Sequence, residues 1–215
     1  MTYHRENLKQ KLIDEAYKAI KKDGVETISL RKLAKKSKVS QTAPYRHFQS
    51  KDHLIIEVCL KGLSNLRTKI DAVDAKNPKT KAINGGLAFI DFGLKNEKIY
   101  ELILATISGE ITKDPLRIAL FESADYTFSN LRNRITALNN KKGHQSQLDG
   151  IKVHAFLTGL LQVIRTTNKV NTSGGAENYQ AVKTASLLNK NLKKVISDFI
   201  ESSCADKIFL KANRR

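Results

Sequence analysis

Apolar residues recur at three- and four-residue steps along almost the whole chain, which is the period of amphipathic helices. In the first twenty residues these positions are Leu8, Leu12, Ile13, Ala16, Ala19 and Ile20. The strict alternation of apolar and polar residues that indicates a half-buried strand is nowhere sustained. The pattern therefore predicts an all-α fold.

Breaks in this pattern predict where the helices begin and end. Gly24 stands where the first helix needs a residue that tolerates left-handed geometry. Two short helices follow at about 29–36 and 40–47, with Ser29 and Ser40 as their expected N-caps. Longer helices are expected at about 51–70, 79–95, 97–108, 115–138, 147–168 and 177–204.

The charge of the chain is strongly positive and unevenly distributed. Its formal net charge is +17, with 38 Lys and Arg against 21 Asp and Glu. Residues 1–51 hold 13 of these basic residues and only five acids, so a short part of the chain carries nearly half of the excess. An excess of this size favours a polyanionic partner, either nucleic acid or an anionic membrane surface. Its position directs that expectation to the N-terminal segment.

Several functional classes lack their sequence signals. Cys59 and Cys204 are too few and too far apart for a disulfide framework or a thiolate metal site. No apolar run reaches the roughly 18 residues of a membrane span, so a cytoplasmic protein without a membrane partner is expected. Metal-ligand spacing, Gly-rich phosphate loops and nucleophile motifs are also missing. Neither an enzyme nor a bound metal or cofactor is expected.

The segment 29–48 predicts two short helices joined by a tight turn. Helices of this length do not persist alone, so the flanking helices must hold them. The apolar residues available for this are Leu30, Leu33, Ala34, Val39 and Phe48. This is the arrangement of a three-helix DNA-binding unit whose second short helix enters the major groove. The pattern predicts a helix-turn-helix at about 29–48.

The segment Thr27–Leu54 (TISLRKLAKKSKVSQTAPYRHFQSKDHL) resembles the DNA-binding domain of the tetracycline-repressor (TetR) family. The matching features are Thr27 with Ser29, Leu33-Ala34, Val39-Ser40, Tyr45-Arg46-His47-Phe48 and Lys51-Asp52-His53-Leu54. The family usually has Gly where this chain has Lys38, and a non-Gly residue in a left-handed turn costs on the order of 1 kcal/mol. The resemblance covers about residues 5–65 and implies a DNA-binding transcriptional regulator, of the repressor type.

The predicted second short helix and its neighbours divide into two sets of DNA contacts. Gln41, Thr42 and Ala43 lie in its first turn and point at base edges, where Gln pairs with adenine and Thr or Ala contacts a thymine methyl. The remaining residues are placed to contact phosphates. The expected DNA-binding residues are Thr27, Ser29, Arg31, Ser40, Gln41, Thr42, Ala43, Tyr45, Arg46, His47 and Lys51. The alternatives are that Tyr45 packs beneath the helix and that His47 is an ordinary surface histidine.

The Asn77-Pro78 pair marks the expected boundary between a DNA-binding domain over 5–65 and a larger helical domain over 75–206. The resemblance implies that the larger domain dimerises and binds a small-molecule effector that releases the protein from a palindromic operator. One module reads too few bases, so a homodimer on double-stranded operator DNA is expected. The alternative is an effector-independent DNA-binding protein on the same scaffold, such as a nucleoid-associated or division-control protein.

The larger domain contains candidates for both roles. The candidate ligand-binding residues, which favour an apolar or aromatic effector, are Phe89, Phe92, Tyr100, Leu104, Tyr126 and His154. The candidate dimer-interface residues lie on the last two predicted helices. The first of these is apolar nearly all round, and the second has apolar residues at alternating four- and three-residue steps. The residues are Leu157, Leu160, Leu161, Leu188, Leu192, Val195 and Phe199. Ordinary core packing within one chain is the alternative for both sets.

Two further segments, Phe89–Leu104 and Val153–Leu160, are similar to a C-terminal subtype of the family with a Trp-x-x-x-His-Gly signature. The chain has no Trp, Gly150 stands at the Trp position, and Ala155 follows His154. The C-terminal subtype is therefore left open.

Overall fold

The structure, a computed structural model, describes residues 2–110, 113–138, 144–172 and 179–204. These ranges contain eight α-helices and no strand. The helices are α1 (Thr2–Asp23), α2 (Leu30–Lys36), α3 (Lys51–Asp71), α4 (Pro78–Lys95), α5 (Glu97–Ile107), α6 (Pro115–Thr136), α7 (His144–Thr172) and α8 (Gln180–Cys204). The prediction of an all-α fold is confirmed.

The two Asx-Pro breaks in the sequence are the starts of helices. Pro78 opens α4, and the side-chain oxygen of Asn77 accepts hydrogen bonds from the amides of Lys79 and Thr80 at 2.9 and 3.2 Å. Pro115 opens α6, where a carboxylate oxygen of Asp114 accepts from the amide of Leu116 at 2.9 Å. Proline fits the first turn because that position has no intrahelical partner for an N–H, and the preceding Asx satisfies the next amides.

The predicted α-helix over 40–47 is wrong. Residues 41–43 form a turn and Pro44–Arg46 a single 3-10 turn. Amides here donate to carbonyl oxygens three residues earlier, from Ala43 to Ser40 at 3.0 Å and from His47 to Pro44 at 2.9 Å. Pro44 has no N–H to donate to Ser40, so the segment tightens instead of continuing as a regular helix. The Ser40 hydroxyl lies 3.3 Å from that of Thr42.

The described chain forms two compact units, the first of which comprises residues up to Thr68 together with Lys95–Thr127. Leu12, Ala16 and Ile20 of α1 are fully buried in its core. The hydroxyl of Tyr17 donates to the side chain of Asn96 at 3.4 Å. The ammonium of Lys98 donates to the carbonyl of Lys22 at 2.6 Å, so α5 caps the last turn of α1. Gly24 follows with φ +94°, as its position predicts.

The second unit comprises Lys69–Leu94 and the residues from Phe128 onward. Helix α4 packs closely on α7, because a Cβ at Gly86 would lie 3.3 Å from Leu157 and a Cβ at Gly93 would overlap the side chain of Leu161. Arg134 is almost completely buried and donates to the carbonyl of Ile70 at 2.8 Å. Helices α7 and α8 pack against each other.

The boundaries of functional domains at 5–65 and 75–206 stay a prediction. In the described part of the chain, no helix is both long and apolar enough to cross a bilayer.

Candidate nucleic-acid interface

Hydrogen bonds that the sequence predicts cap helix α2 at its N-terminus and at its C-terminus, where the turn begins. The Ser29 hydroxyl accepts from the amide of Lys32 at 3.2 Å, which confirms Ser29 as the N-cap. At the other end, the amide of Val39 donates to Ala34 at 3.1 Å and that of Lys38 to Lys35 at 3.2 Å. These two bonds form a Schellman motif around Lys38, whose φ of +57° is left-handed. The turn therefore has the expected geometry without the usual glycine.

Apolar side chains hold this turn and the segment after it against the rest of the unit. Leu30, Leu33 and Ala34 of α2 are buried, and Phe48 is only 1% exposed. The amide of Phe48 donates to the carbonyl of Pro44 at 2.9 Å. The assignment of Phe48 to the core is confirmed, and its burial fixes where the 3-10 turn ends.

The side chains of the predicted interface lie on three adjoining segments: the start of α2, residues 40–47 and the start of α3. Those that are well exposed are Thr27, Arg31, Ser40, Gln41, Thr42, Tyr45 and Arg46, and those that are partly buried are Ser29, Ala43, His47 and Lys51. Tyr45 is 52% exposed, so its ring is available at the surface. The ring of His47 lies 6.3 Å from that of Phe48.

Helix α3 begins at the interface with a capped N-terminus. The Ser50 hydroxyl accepts from the amide of His53 at 3.2 Å, and Lys51 is the first residue of the helix. The amides of a first helical turn carry partial positive charge and attract anions. Lys51 adds a full charge at the same place.

Two acidic residues of α1 are paired with lysines, whereas several cations of the interface have no such partner in the described part of the chain. Glu15 receives Lys36 at 2.9 Å and Lys18 at 3.2 Å, and these hydrogen bonds hold the pKa of Glu15 below its usual value. Asp14 pairs with Lys61 at 2.6 Å. Within the described ranges, no ion pair is formed by Arg31, Lys35, Lys38, Arg46 or Lys51. The surface keeps a net positive charge that an external polyanion can neutralise.

The predicted ligand-binding residues divide between the two units. Tyr100, Leu104 and Tyr126 belong to the first unit; Tyr100 is buried there, whereas Leu104 and Tyr126 are exposed. Phe89, Phe92 and His154 belong to the second unit. Within this second group, the rings of Phe89 and His154 are neighbours, with 5.8 Å between their centroids.

The His154 ring has a neighbour that sequence reasoning missed. Phe128 approaches it edge-on at 4.2 Å between ring centroids. The Nδ1 atom of His154 is buried and has no hydrogen-bond partner, and burial lowers the pKa of the imidazole to about 4. His154 is therefore neutral near pH 7. The apolar period of α6 marks Phe128 as core-facing, but nothing in the sequence indicates which ring it meets.

The predicted dimer-interface residues lie on α7 and α8. Leu157, Leu160 and Leu161 are 0%, 7% and 1% exposed within the single chain. The α8 residues of the set, Leu188, Leu192, Val195 and Phe199, are partly buried. The Phe199 ring stacks on that of Phe156, with centroids 3.8 Å apart.

Comparison with known proteins identifies the N-terminal part of the chain. A family model described as "Bacterial regulatory proteins, tetR family" matches residues 12–58, from within α1 to within α3. An uncharacterized HTH-type transcriptional regulator of Bacillus subtilis (strain 168), YobS, is 27% identical over 154 residues, covering 69% of this chain and 80% of that protein. The predicted resemblance to the TetR family is confirmed over residues 12–58, and the comparisons support a DNA-binding transcriptional regulator.

Solved structures share the fold of this chain. A protein with unknown function from Rhodococcus sp. RHA1 has a TM-score of 0.70 at 17% identity, covering 93% of this chain and 96% of that chain. The TetR family transcriptional regulator PfmR from Thermus thermophilus has a TM-score of 0.55 at 19% identity, covering 86% of this chain and 97% of that chain. The similarity extends over the C-terminal helices, which lie beyond the matched segment 12–58.

Proposed function

We propose that this TetR family regulator is a repressor that binds a palindromic operator as a homodimer and is released by a small apolar or aromatic effector. The observation that carries the proposal is the surface of exposed polar side chains and unpaired cations around the turn at Lys38. Phosphate contacts from such cations supply most of the affinity of DNA-binding proteins, and contacts to base edges supply the specificity.

The base-reading residues in this proposal are Gln41, Thr42 and Ala43. Gln41 and Thr42 are well exposed, and the tight turn that Pro44 enforces keeps all three at the start of the segment. The amide of Gln pairs bidentately with adenine, and the methyl groups of Thr and Ala contact thymine. Tyr45, Arg46, His47 and Lys51 then serve as phosphate contacts.

A second copy of the chain is proposed to pack on the outward face of α7. Apolar and small residues at helical spacing are exposed along this face: Leu148 and Ile151 at 51% and 61%, Val163 at 46%, and between them Ala155 and Gly159. A Cβ at Gly159 would meet nothing within 4 Å in the single chain. An exposed mid-helix glycine costs about 1 kcal/mol relative to alanine, and a close approach of a partner helix explains its presence.

The effector is proposed to bind beside His154. A pocket of about 150 Å³ is lined there by Phe128, Arg132, Gly150, Ile151 and His154. An apolar cavity of about this volume accommodates a single aromatic ring. The unpartnered Nδ1 of the neutral His154 offers one hydrogen bond to a polar substituent. A single-ring aromatic compound with one polar group fits these features.

The small size of the same pocket favours the second candidate function, an effector-independent DNA-binding protein such as a nucleoid-associated or division-control protein. Ligand pockets usually have volumes of roughly 300–1,000 Å³. The two functions differ in one observable. Effector control requires a compound that lowers DNA affinity through a site in the second unit, whereas the alternative predicts DNA affinity that no such compound changes.

The DNA-contact assignment is tested by replacing Tyr45 and Lys51 together by Ala in the full chain. Fluorescence anisotropy with a labelled DNA duplex should show a loss of binding of about 100-fold or more, while the circular dichroism spectrum stays unchanged. The matched control is Tyr179→Ala with Lys183→Ala, an exposed Tyr–Lys pair of which Tyr179 directly precedes α8 and Lys183 lies in its first turn. Retained binding in the first variant, or an equal loss in the second, contradicts the assignment.

A further inference from the structure

A second cleft lies wholly within the first unit and is separate from the pocket at His154. It has a volume of about 360 Å³, and its lining includes Ile55 of α3, Leu102 and Ala105 of α5, and Arg117 of α6. Three charged side chains at the DNA-facing side of the chain also line it, namely Glu26, Lys51 and Asp52. The cleft therefore combines an apolar wall with a set of ionisable groups.

Arg117 is the unusual member of this set. Its Nη1 atom is buried and has no hydrogen-bond partner. The acid nearest to it in sequence, Asp114, stands three residues earlier, a spacing at which helical ion pairs form. Both oxygens of Asp114 are engaged elsewhere: one accepts from the amide of Leu116 at 2.9 Å and the other pairs with His53 at 3.2 Å. A buried guanidinium nitrogen without an acceptor is costly, and an acceptor from outside the chain removes that cost.

The other charges of the cleft restrict the kind of acceptor. In the described part of the chain, Glu26, Lys51, Asp52 and Arg117 form no ion pair with one another, although they line one cleft. Glu26 and Asp52 are exposed and disfavour a dianion such as a phosphate monoester. The apolar wall of Ile55, Leu102 and Ala105 favours a hydrocarbon body. A monocarboxylate with an apolar body satisfies both conditions, and its planar carboxylate matches the fork of a guanidinium.

We infer that this cleft binds a small apolar monocarboxylate, whose carboxylate pairs with Arg117 while its hydrocarbon part lies against Ile55, Leu102 and Ala105. Lys51 lines the same cleft. A bound carboxylate therefore attracts the Lys51 ammonium, which in the proposed function contacts a DNA phosphate. Occupancy of the cleft should therefore lower DNA affinity several-fold. This second step rests on the proposed function, whereas binding itself does not.

Binding is tested by NMR on the full chain with 13C-labelled isoleucine methyl groups. Sodium benzoate and sodium hexanoate are titrated at constant ionic strength, with benzamide and hexanamide as their uncharged counterparts. The methyl signals of Ile55 and Ile56, which both line the cleft, should shift saturably with the carboxylates, while that of Ile196 in the second unit stays in place. Failure of both carboxylates to give saturable shifts, or equal shifts with the amides, overturns the inference.

Three variants and one control test whether Arg117 holds the carboxylate in the cleft. Arg117→Gln should weaken binding by at least about tenfold, and Arg117→Lys should restore part of it. The control Arg67→Gln removes an arginine of the same unit that stacks on Tyr126 at 5.4 Å, outside the cleft, and should bind as the unchanged chain does. Ala105→Phe fills the cleft while keeping Arg117, and should abolish binding even if Arg117→Gln does not fold. Undiminished binding in Arg117→Gln or in Ala105→Phe overturns the inference.

The same titration followed by DNA anisotropy separates the two steps. If the carboxylates bind at Ile55 and Ile56 and DNA affinity falls, both steps are supported. If they bind there and DNA affinity is unchanged, the coupling through Lys51 is wrong. If DNA binding itself is absent while the carboxylates still bind, the proposed function is wrong, whereas the inference that the cleft binds a monocarboxylate is supported.

Discussion

The amide of Val39 donates to the carbonyl of Ala34 at 3.1 Å, across a turn in which Lys38 has a φ of +57°. This bond joins the end of α2 to the segment that carries Gln41, Thr42 and Tyr45. A lysine in the left-handed region is strained, because its Cβ approaches the following carbonyl oxygen. The geometry of the segment that we predict to face DNA is therefore maintained at a local conformational cost.

Lys38→Gly should raise the free energy of unfolding by about 1 kcal/mol, because glycine has no Cβ to strain the left-handed turn. Urea unfolding followed by circular dichroism measures this change. Lys35→Gly is the matched control: it removes the same charge from an exposed position inside α2, and should lower stability by about 1 kcal/mol. Changes of the same sign in both variants would contradict the account of the turn.

Gly93→Ala should destabilise the protein by about 1 to 3 kcal/mol, because the new methyl group would overlap the buried side chain of Leu161. Gly85 lies in the same helix, where a Cβ would be 3.4 Å from Arg134, an ordinary contact. Gly85→Ala should therefore gain up to about 1 kcal/mol from helix propensity. Calorimetric melting of the two variants checks the opposite signs. A neutral Gly93→Ala would mean that α4 and α7 are not closely packed at this point.

Protonation of His154 should make the protein less stable in acid. Burial lowers the pKa of this imidazole from 6.5 to about 4, so between these values the unfolded chain takes up a proton that the native chain does not. The free energy of unfolding is highest above about pH 6.5 and decreases by about 2 to 3 kcal/mol as the pH falls toward 4. Urea unfolding at about pH 7.5 and about pH 4.5 measures the loss. His154→Leu keeps the apolar contact with Phe89 and Phe128 and should lose less; an equal loss would show that another group titrates.

Gly159→Arg should convert the proposed dimer into a monomer with unchanged helicity, because it places a charge where the partner helix is proposed to pack. In the single chain the new side chain meets open space, so the fold itself tolerates it. Sedimentation velocity measures the mass in solution. Asn65→Arg, at an exposed position on α3, adds the same charge and should stay dimeric. A dimer that persists in Gly159→Arg would place the interface elsewhere.

The helices were predictable because their limits depend on local chemistry. The steps of apolar residues, the caps at Ser29 and the Asx-Pro pairs at Pro78 and Pro115 are short-range signals, and the structure has helix ends at each of them. Pro44 is also a local signal, and it prevents the regular helix that the sequence predicts over 40–47. A proline four residues after Ser40 removes the hydrogen bond that a regular first turn needs, and a 3-10 turn results.

Long-range pairings were not predictable from the apolar period. The period of α7 is weak because the helix is apolar nearly all round, so the sequence alone does not tell that Leu157 and Leu161 face inward and that Ile151 and Val163 face solvent. The ring contact of Phe128 with His154 and the cleft at Arg117 depend on which helices become neighbours. By contrast, the residues that we predict to contact DNA lie within one short segment, so local sequence was enough to propose them, and their role stays a prediction.

Selection of bound sequences from a random DNA library by the full chain tests the central claim most directly. The account predicts enrichment of a palindrome with two half-sites about one helical turn or somewhat more apart. Enrichment should be lost in the Tyr45→Ala, Lys51→Ala double variant, and Gln41→Ala should change the preferred bases within each half-site without abolishing binding. Recovery of sequences without a shared motif, or of the same motif by the double variant, would contradict it.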